Sequence, residues 1–133
     1  KIRVELFGRG HASPLHPDVS GATPTARPVP AALPLRTPAP PQAALAALRR
    51  RGLRSALSPS AGRYLCDACY AAALRPNRSS GVPVIFIHVP WLRPAPGSRP
   101  SRRVAGFRPA KAVLVASLAE IGAALARQGR GAG

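Results

Sequence analysis

The chain has 133 residues, 46% of them hydrophobic, which gives room for one small domain with a modest core. Twenty basic residues stand against four acidic ones, and a net charge of +16 predicts salt-dependent adhesion to polyanions. The arginines are spread along the chain without zinc-finger spacing or an aromatic-basic motif, which argues against specific nucleic-acid recognition. A coding sequence whose base composition favours arginine, alanine, proline and glycine codons explains the charge more simply.

The sequence lacks the patterns of a membrane or secreted protein. No apolar run approaches the roughly 18 residues that a membrane span needs, and the N-terminus is not a secretory signal. The two cysteines, Cys66 and Cys69, are too close together to build a disulfide framework. We therefore predict a cytoplasmic protein that does not bind membranes.

The first half of the chain predicts one strand, one long loop and one helix. Residues 2–7 alternate loosely between apolar and polar, as a strand does. Residues 14–41 are too rich in proline for a helix interior or a central strand, so they form a long, semi-rigid loop. The sequence QAALAALRRR over residues 42–51 forms a helix that ends before Gly52.

The second half predicts two strands and two helices in alternation, followed by a flexible tail. In the helix over residues 63–74, the apolar face consists of Tyr64, Leu65, Ala68 and Ala72. The strand over residues 82–89 is an unbroken apolar run and is expected to be covered on both faces. The predicted elements are a strand over residues 53–57, a helix over 63–74, a strand over 82–89, a helix over 110–127 and a tail over 128–133.

This alternation predicts an α/β fold with a mainly parallel sheet and flanking helices. Two or three strands are too few for a stable doubly wound sheet, and the chain begins with Lys1 rather than methionine. We therefore expect residues 1–133 to form a single but incomplete domain that lacks its N-terminal part. Such a chain should be marginally stable on its own.

Two segments carry the strongest indication of chemistry: SPSAGRYLCD over residues 58–67 and VIFIHVP over residues 84–90. The small-residue turn of the first segment leads Cys66 into the first turn of a helix. There, unpaired N–H groups and the helix dipole favour a thiolate over a thiol. His88 falls near the end of a strand, where open α/β sheets carry their active-site groups. The pair predicts a cysteine nucleophile with a histidine base.

Cys69 offers an alternative, because CDAC over residues 66–69 is a CxxC sequence at a helix start and is compatible with thioredoxin-type redox chemistry. A turn precedes it, however, rather than the end of an apolar strand. A zinc site needs four ligands, and the two cysteines and three histidines have no recognised zinc spacing. We expect Cys69 to be a packing residue.

Both segments resemble the pyroglutamyl peptidase I family, cysteine peptidases that remove an N-terminal pyroglutamate from peptides. The resemblance spans nearly the whole chain and is specific at residues 58–67 and 86–90. A shorter match, VELFGR over residues 4–9, aligns Glu5 with the family's acidic residue. The family's first strand and its Phe- and Gly-containing turn, which form much of the lactam pocket, have no counterpart. The resemblance therefore implies the C-terminal portion of the family domain.

The resemblance implies Cys66 as nucleophile, His88 as base and Glu5 as the acid that orients the imidazole, with Asp67 as the next candidate for the acid. It implies acyl transfer through a thioester, with the backbone N–H of Cys66 as an oxyanion donor. It implies no metal and no organic cofactor. The implied partners are peptides with an N-terminal pyroglutamate, and a homo-oligomer is left open.

Two other functions are compatible with the sequence. The chain could be a truncated or catalytically inactive relative that keeps the site residues without a working pocket. It could instead be a basic polyanion-binding protein with no enzymatic role. An activated Cys66 that alkylates faster than Cys69 would separate the peptidase from the polyanion-binding protein.

Overall fold

In the computed structural model, residues 1–11, 17, 20–23, 33–98 and 105–131 are described. Half of the predicted proline-rich loop, residues 14–41, lies outside the described residues. The described elements are, in chain order, β1 (Ile2–Glu5), β2 (Phe7–Gly8), β3 (Leu35–Arg36), α1 (Pro41–Arg50), β4 (Ser55–Ser58), α2 (Leu65–Leu74), β5 (Phe86–His88) and α3 (Lys111–Arg130).

The main sheet has three strands in the order β4-β1-β5. β1 pairs with β4 in parallel, with Val4 opposite Leu57, and with β5 in antiparallel, with Glu5 opposite Phe86. The α/β class with flanking helices is confirmed. The sheet is mixed rather than mainly parallel, because one of its two pairings is antiparallel. A second, two-stranded sheet joins β2 to β3 in antiparallel.

The two faces of β1 have different neighbours because side chains alternate along a strand. Ile2 and Val4 are fully buried and pack into the main core with α1, α3 and the residues that lead into them. Glu5 points to the opposite face, toward α2. A smaller core on that side contains Tyr70 and Phe86. The site residues therefore lie on the α2 face of the sheet.

Helix α2 presents a different face to the protein from the one predicted. Its buried residues are Asp67, Tyr70, Ala71 and Leu74, whereas Leu65 is 62% exposed. The helix is apolar almost all round, so hydrophobic periodicity does not select a face. Cys69 is exposed, and the expectation that it is a packing residue is wrong.

The predicted strand over residues 82–89 forms a ladder only at β5. β5 is an edge strand whose residues are half-buried, so the expectation of cover on both faces is wrong. Pro83 and Pro90 lack the N–H that a continued ladder would use, which restricts the strand to its middle.

Helix α3 is the one described helix long and apolar enough to cross a membrane by length and composition. Core helices of soluble proteins meet the same criterion but are mostly buried, whereas 17% of this apolar window is buried, with Leu114 and Ile121 in the main core. The helix continues three residues beyond the predicted end at residue 127, so the predicted tail over 128–133 begins inside it. Gln128 donates a hydrogen bond to the carbonyl of Pro38 at 3.2 Å, which anchors this last turn.

Gly8 allows the backbone of β2 to approach α2 closely. A Cβ at position 8 would lie 2.8 Å from the backbone nitrogen of Ala71 and 3.2 Å from the carbonyl carbon of Tyr70. Because both atoms belong to the helix backbone, the clash with an added Cβ can be removed only if α2 moves away from β2. The contact makes position 8 sensitive to any side chain.

We expect Gly8→Ala to lower the free energy of unfolding by about 1–3 kcal/mol, the usual cost of overpacking. Gly122→Ala in α3 is the matched control, since nothing lies within 4 Å of a Cβ there. That change should be neutral or stabilising by up to about 1 kcal/mol, since alanine favours a helix over glycine. Urea denaturation of both variants measures the difference. Equal free energies of unfolding for the two would contradict the close approach.

Candidate active site

A buried carboxylate and a histidine are in direct contact at the β1–β5 pairing. Glu5 is fully buried, and its Oε1 lies 2.6 Å from Nδ1 of His88, whose side chain is 24% exposed. The antiparallel register places Phe86 opposite Glu5 and His88 opposite Arg3, so Glu5 and His88 are diagonal neighbours on one face. The sheet itself thus builds the pair.

The Glu5 contact determines how His88 can act. An ionised carboxylate oxygen can only accept a hydrogen bond, so Nδ1 of His88 carries the proton. Nε2 is then free to take up a proton from another group. The Arg3 guanidinium also donates to Oε1 of Glu5, at 3.3 Å. The second oxygen, Oε2, is buried without a hydrogen-bond partner among the described residues. The Phe86 ring packs edge-on against the imidazole, with 5.0 Å between ring centroids. This arrangement suits a histidine that gains and loses a proton at Nε2.

Cys66 is the second residue of α2 and is exposed. The helix's first backbone hydrogen bonds run from the N–H groups of Asp67 and Ala68 to the carbonyl of Tyr64. The N–H of Cys66 therefore precedes the helical ladder, as expected for the first turn. A thiol in this position has a backbone donor beside it that can stabilise negative charge.

Tyr70 connects the helix that carries Cys66 to the Glu5–His88 pair. Its hydroxyl donates to the backbone carbonyl of Glu5 at 3.1 Å, and its ring lies 5.3 Å from that of Phe86. Cys66 and Tyr70 are four residues apart, so they lie on neighbouring parts of the helix surface. Glu5 and His88 are in contact, while Cys66 is linked to them through α2.

Burial raises the pKa of the Tyr70 phenol above its ordinary value, while hydrogen bonds with Thr37 and the backbone of Phe86 act in the other direction. Because the folded-state pKa of Tyr70 is raised, the free energy of unfolding is unaffected by this group below about pH 10, the ordinary tyrosine value. It falls as the pH rises further, since ionisation favours the unfolded chain. An alkaline titration followed by phenolate absorbance should show a component that titrates later in the folded than in the denatured protein. Tyr70→Phe should remove that component. If it persists in the variant, the residue is misassigned.

Asp67 and His11 form a second histidine–carboxylate pair that sequence reasoning did not find. Asp67 is fully buried, and its Oδ2 lies 3.0 Å from Nδ1 of His11. Asp67 therefore contacts His11 rather than His88, and it does not replace Glu5 as the acid of the His88 pair. The two residues are separated by 56 positions, and no local pattern indicates the contact.

Among the described residues, no cluster of three or more histidine, cysteine, aspartate and glutamate side chains could hold a metal ion. His16 lies outside the described residues.

No protein-family model matches the chain, and no curated protein matches it. Several solved structures match the chain. The pyrrolidone carboxyl peptidase of Thermococcus litoralis aligns with 99% of this chain at 24% identity and a TM-score of 0.65. A mutant (A199P) of the enzyme from P. furiosus aligns with 95% of it at 21% identity and a TM-score of 0.70. The pyroglutamyl peptidase I of Bacillus amyloliquefaciens aligns with 94% of it at 18% identity and a TM-score of 0.64.

The chain has the fold of the pyrrolidone carboxyl peptidases. The resemblance stated from the sequence is thus confirmed at the level of the fold. The chain spans 59% of the Thermococcus litoralis structure, 62% of the P. furiosus one and 59% of the Bacillus amyloliquefaciens one. These identities are low, and the shared fold by itself does not assign an activity.

Proposed function

We propose that the protein is a cysteine peptidase that hydrolyses N-terminal pyroglutamate from peptides, with Cys66 as nucleophile, His88 as base and Glu5 as the orienting acid. The observation that carries the proposal is the 2.6 Å contact between Glu5 and His88. A buried carboxylate on Nδ1 is what a general-base histidine needs, because it fixes the tautomer and stabilises the imidazolium. The exposed Cys66 in the first turn of α2 supports it.

The proposed reaction is acyl transfer. Nε2 of His88 accepts the thiol proton of Cys66, and the thiolate attacks the carbonyl carbon that joins the pyroglutamyl ring to the next residue. The N–H of Cys66 stabilises the oxyanion. The carbon–nitrogen bond then breaks, the leaving amine takes the proton from His88, and a thioester remains. Water, deprotonated by His88, hydrolyses the thioester and releases pyroglutamate and the free thiol.

The choice of pyroglutamate rests on the fold shared with peptidases named for that substrate and on the segments around Cys66 and His88. An apolar surface lies directly after His88, where Val89, Trp91 and Leu92 are exposed beside a shallow depression of about 460 Å³. Such a surface suits the uncharged methylene side of a lactam ring. It is offered as one wall of the substrate site.

The proposal is tested by hydrolysis of a fluorogenic pyroglutamyl amide, with the matching prolyl amide as control. Proline has the same five-membered ring, but it lacks the lactam carbonyl and its ring nitrogen is a charged amine at neutral pH, so the comparison tests recognition of the neutral lactam. We expect release from the pyroglutamyl amide that is lost after alkylation of Cys66, and little from the prolyl amide. Equal release from both, or release that survives alkylation, would contradict the proposal.

An inactive relative and a polyanion-binding protein are the competing functions. An inactive relative would show fast alkylation of Cys66 without hydrolysis. A polyanion-binding protein would bind nucleic acid with a sequence selectivity that persists at physiological salt, whereas charge alone gives weak, unselective binding that falls steeply with salt.

A further inference from the structure

One buried carboxylate ties the segment after β2 to the start of α2. Oδ1 of Asp67 accepts from the N–H of Arg9 at 3.0 Å. Oδ2 accepts from the N–H of His11 at 2.8 Å and from its Nδ1 at 3.0 Å. Gly10 lies between these residues with a φ of +78°, a conformation that glycine adopts without strain. Three donors from two residues, Arg9 and His11, thus converge on one side chain.

We propose that Asp67 and His11 are positioning residues for Cys66, an inference that rests on the proposed function. Asp67 directly follows Cys66, and residues 9–11 directly follow the β1–β2 segment that carries Glu5. The Asp67 bonds therefore join the helix of the nucleophile to the segment that follows β1 and β2 in the chain. The hydroxyl of Tyr70 makes a second connection, to the carbonyl of Glu5. Two attachments three residues apart fix both the position and the tilt of this helix end.

The chemistry of the contact requires a carboxylate at position 67. All three partners are donors, and an ionised carboxylate can accept from each of them. An asparagine would turn its NH₂ group toward at least one donor and leave a buried polar group unsatisfied. His11 contributes one side-chain bond that any donor in the place of Nδ1 could replace. The proposal therefore predicts different results for alanine and asparagine at position 11.

The test compares the iodoacetamide alkylation rates of Cys66 and Cys69 in each variant. Both thiols are exposed on α2, so Cys69 is an internal control. In His11→Ala and Asp67→Asn the Cys66 rate should fall by about 10-fold, because a displaced helix start weakens the N–H and dipole stabilisation of the thiolate on which alkylation depends. The Cys69 rate should not change. His11→Asn, whose side-chain amide can donate to Asp67, should keep the rate of the parent protein.

His11→Asn is the matched control, because it keeps at position 11 a side-chain donor to Asp67 that His11→Ala removes. An unchanged Cys66 rate in His11→Ala would overturn the proposal. So would equal slowing of both cysteines, which indicates only a less stable fold. A faster Cys66 in Asp67→Asn would also overturn it, because removal of a neighbouring negative charge favours the thiolate.

Hydrogen exchange separates this inference from the proposed function. If Cys66 in the parent protein reacts no faster than Cys69, the proposed function fails. The contact is then judged by the Arg9 and His11 amides, which should be protected in the parent and lose protection in Asp67→Asn. Unchanged protection in that variant would overturn the contact itself.

Discussion

Cys66→Ala should abolish pyroglutamyl hydrolysis, a loss of about 10⁴-fold or more, as for nucleophiles of other catalytic units. The thiol is the atom that attacks, and no described cysteine other than Cys69 could replace it. Cys66→Ser should be nearly as inactive, because a hydroxyl is a poorer nucleophile than a thiolate at neutral pH. Steady-state kinetics on the fluorogenic pyroglutamyl amide measure both.

Cys69→Ala is the matched control and should keep most of the activity. Both cysteines are exposed on the same helix, but the N–H of Cys66 precedes the helical ladder and that of Cys69 lies within it. A difference in activity between the two variants therefore cannot result from a difference in the accessibility of the two thiols. Equal loss from both substitutions would indicate redox chemistry of the CxxC pair instead.

His88→Ala should be nearly as damaging as Cys66→Ala, because the members of a catalytic unit are not additive. The loss of kcat/KM in Glu5→Gln should be about one to two orders of magnitude smaller than in His88→Ala, as in catalytic units from which only the orienting acid is removed. Glutamine keeps an oxygen that can accept from Nδ1 of His88 but removes the charge that stabilises the imidazolium. The pH profile of kcat/KM, measured beside that of the parent protein, reports the loss.

Wild-type kinetics with an unshifted pH profile in Glu5→Gln would show that the acid lies elsewhere. Circular dichroism is needed alongside, because Glu5 is fully buried and one of its oxygens has no partner among the described residues. A variant that retains its spectrum while its activity falls supports a role in catalysis. A variant that loses its spectrum must be replaced by His88→Gln, which leaves Glu5 in place.

Local sequence predicted the parts of this site that depend on neighbouring residues. The turn over residues 58–62 and the following helix fix Cys66 at a helix start, and the apolar run fixes His88 at a strand end. Both signals are local because caps and turns are made by adjacent residues. Glu5 was indicated by resemblance alone, since one acidic residue in a short strand has no distinguishing pattern.

Contacts between distant segments could not be predicted. The direction of β5 depends on the path of the chain after α2, and the alternation of elements favoured a parallel pairing that the structure does not have. The buried face of α2 is selected by the approach of Gly8 rather than by hydrophobic periodicity. The Asp67–His11 pair joins residues 56 positions apart. Each of these is decided by packing, which no single segment encodes.

The most direct test of the central claim is to identify the nucleophile by alkylation with a substrate-like reagent. The protein is incubated with a pyroglutamyl chloromethyl ketone, digested, and analysed by mass spectrometry, with free pyroglutamate as competitor. The proposed mechanism predicts one label per chain, on Cys66, that free pyroglutamate slows and His88→Ala nearly eliminates. Labelling of Cys66 and Cys69 at equal rates, unaffected by the competitor or by His88→Ala, would contradict it.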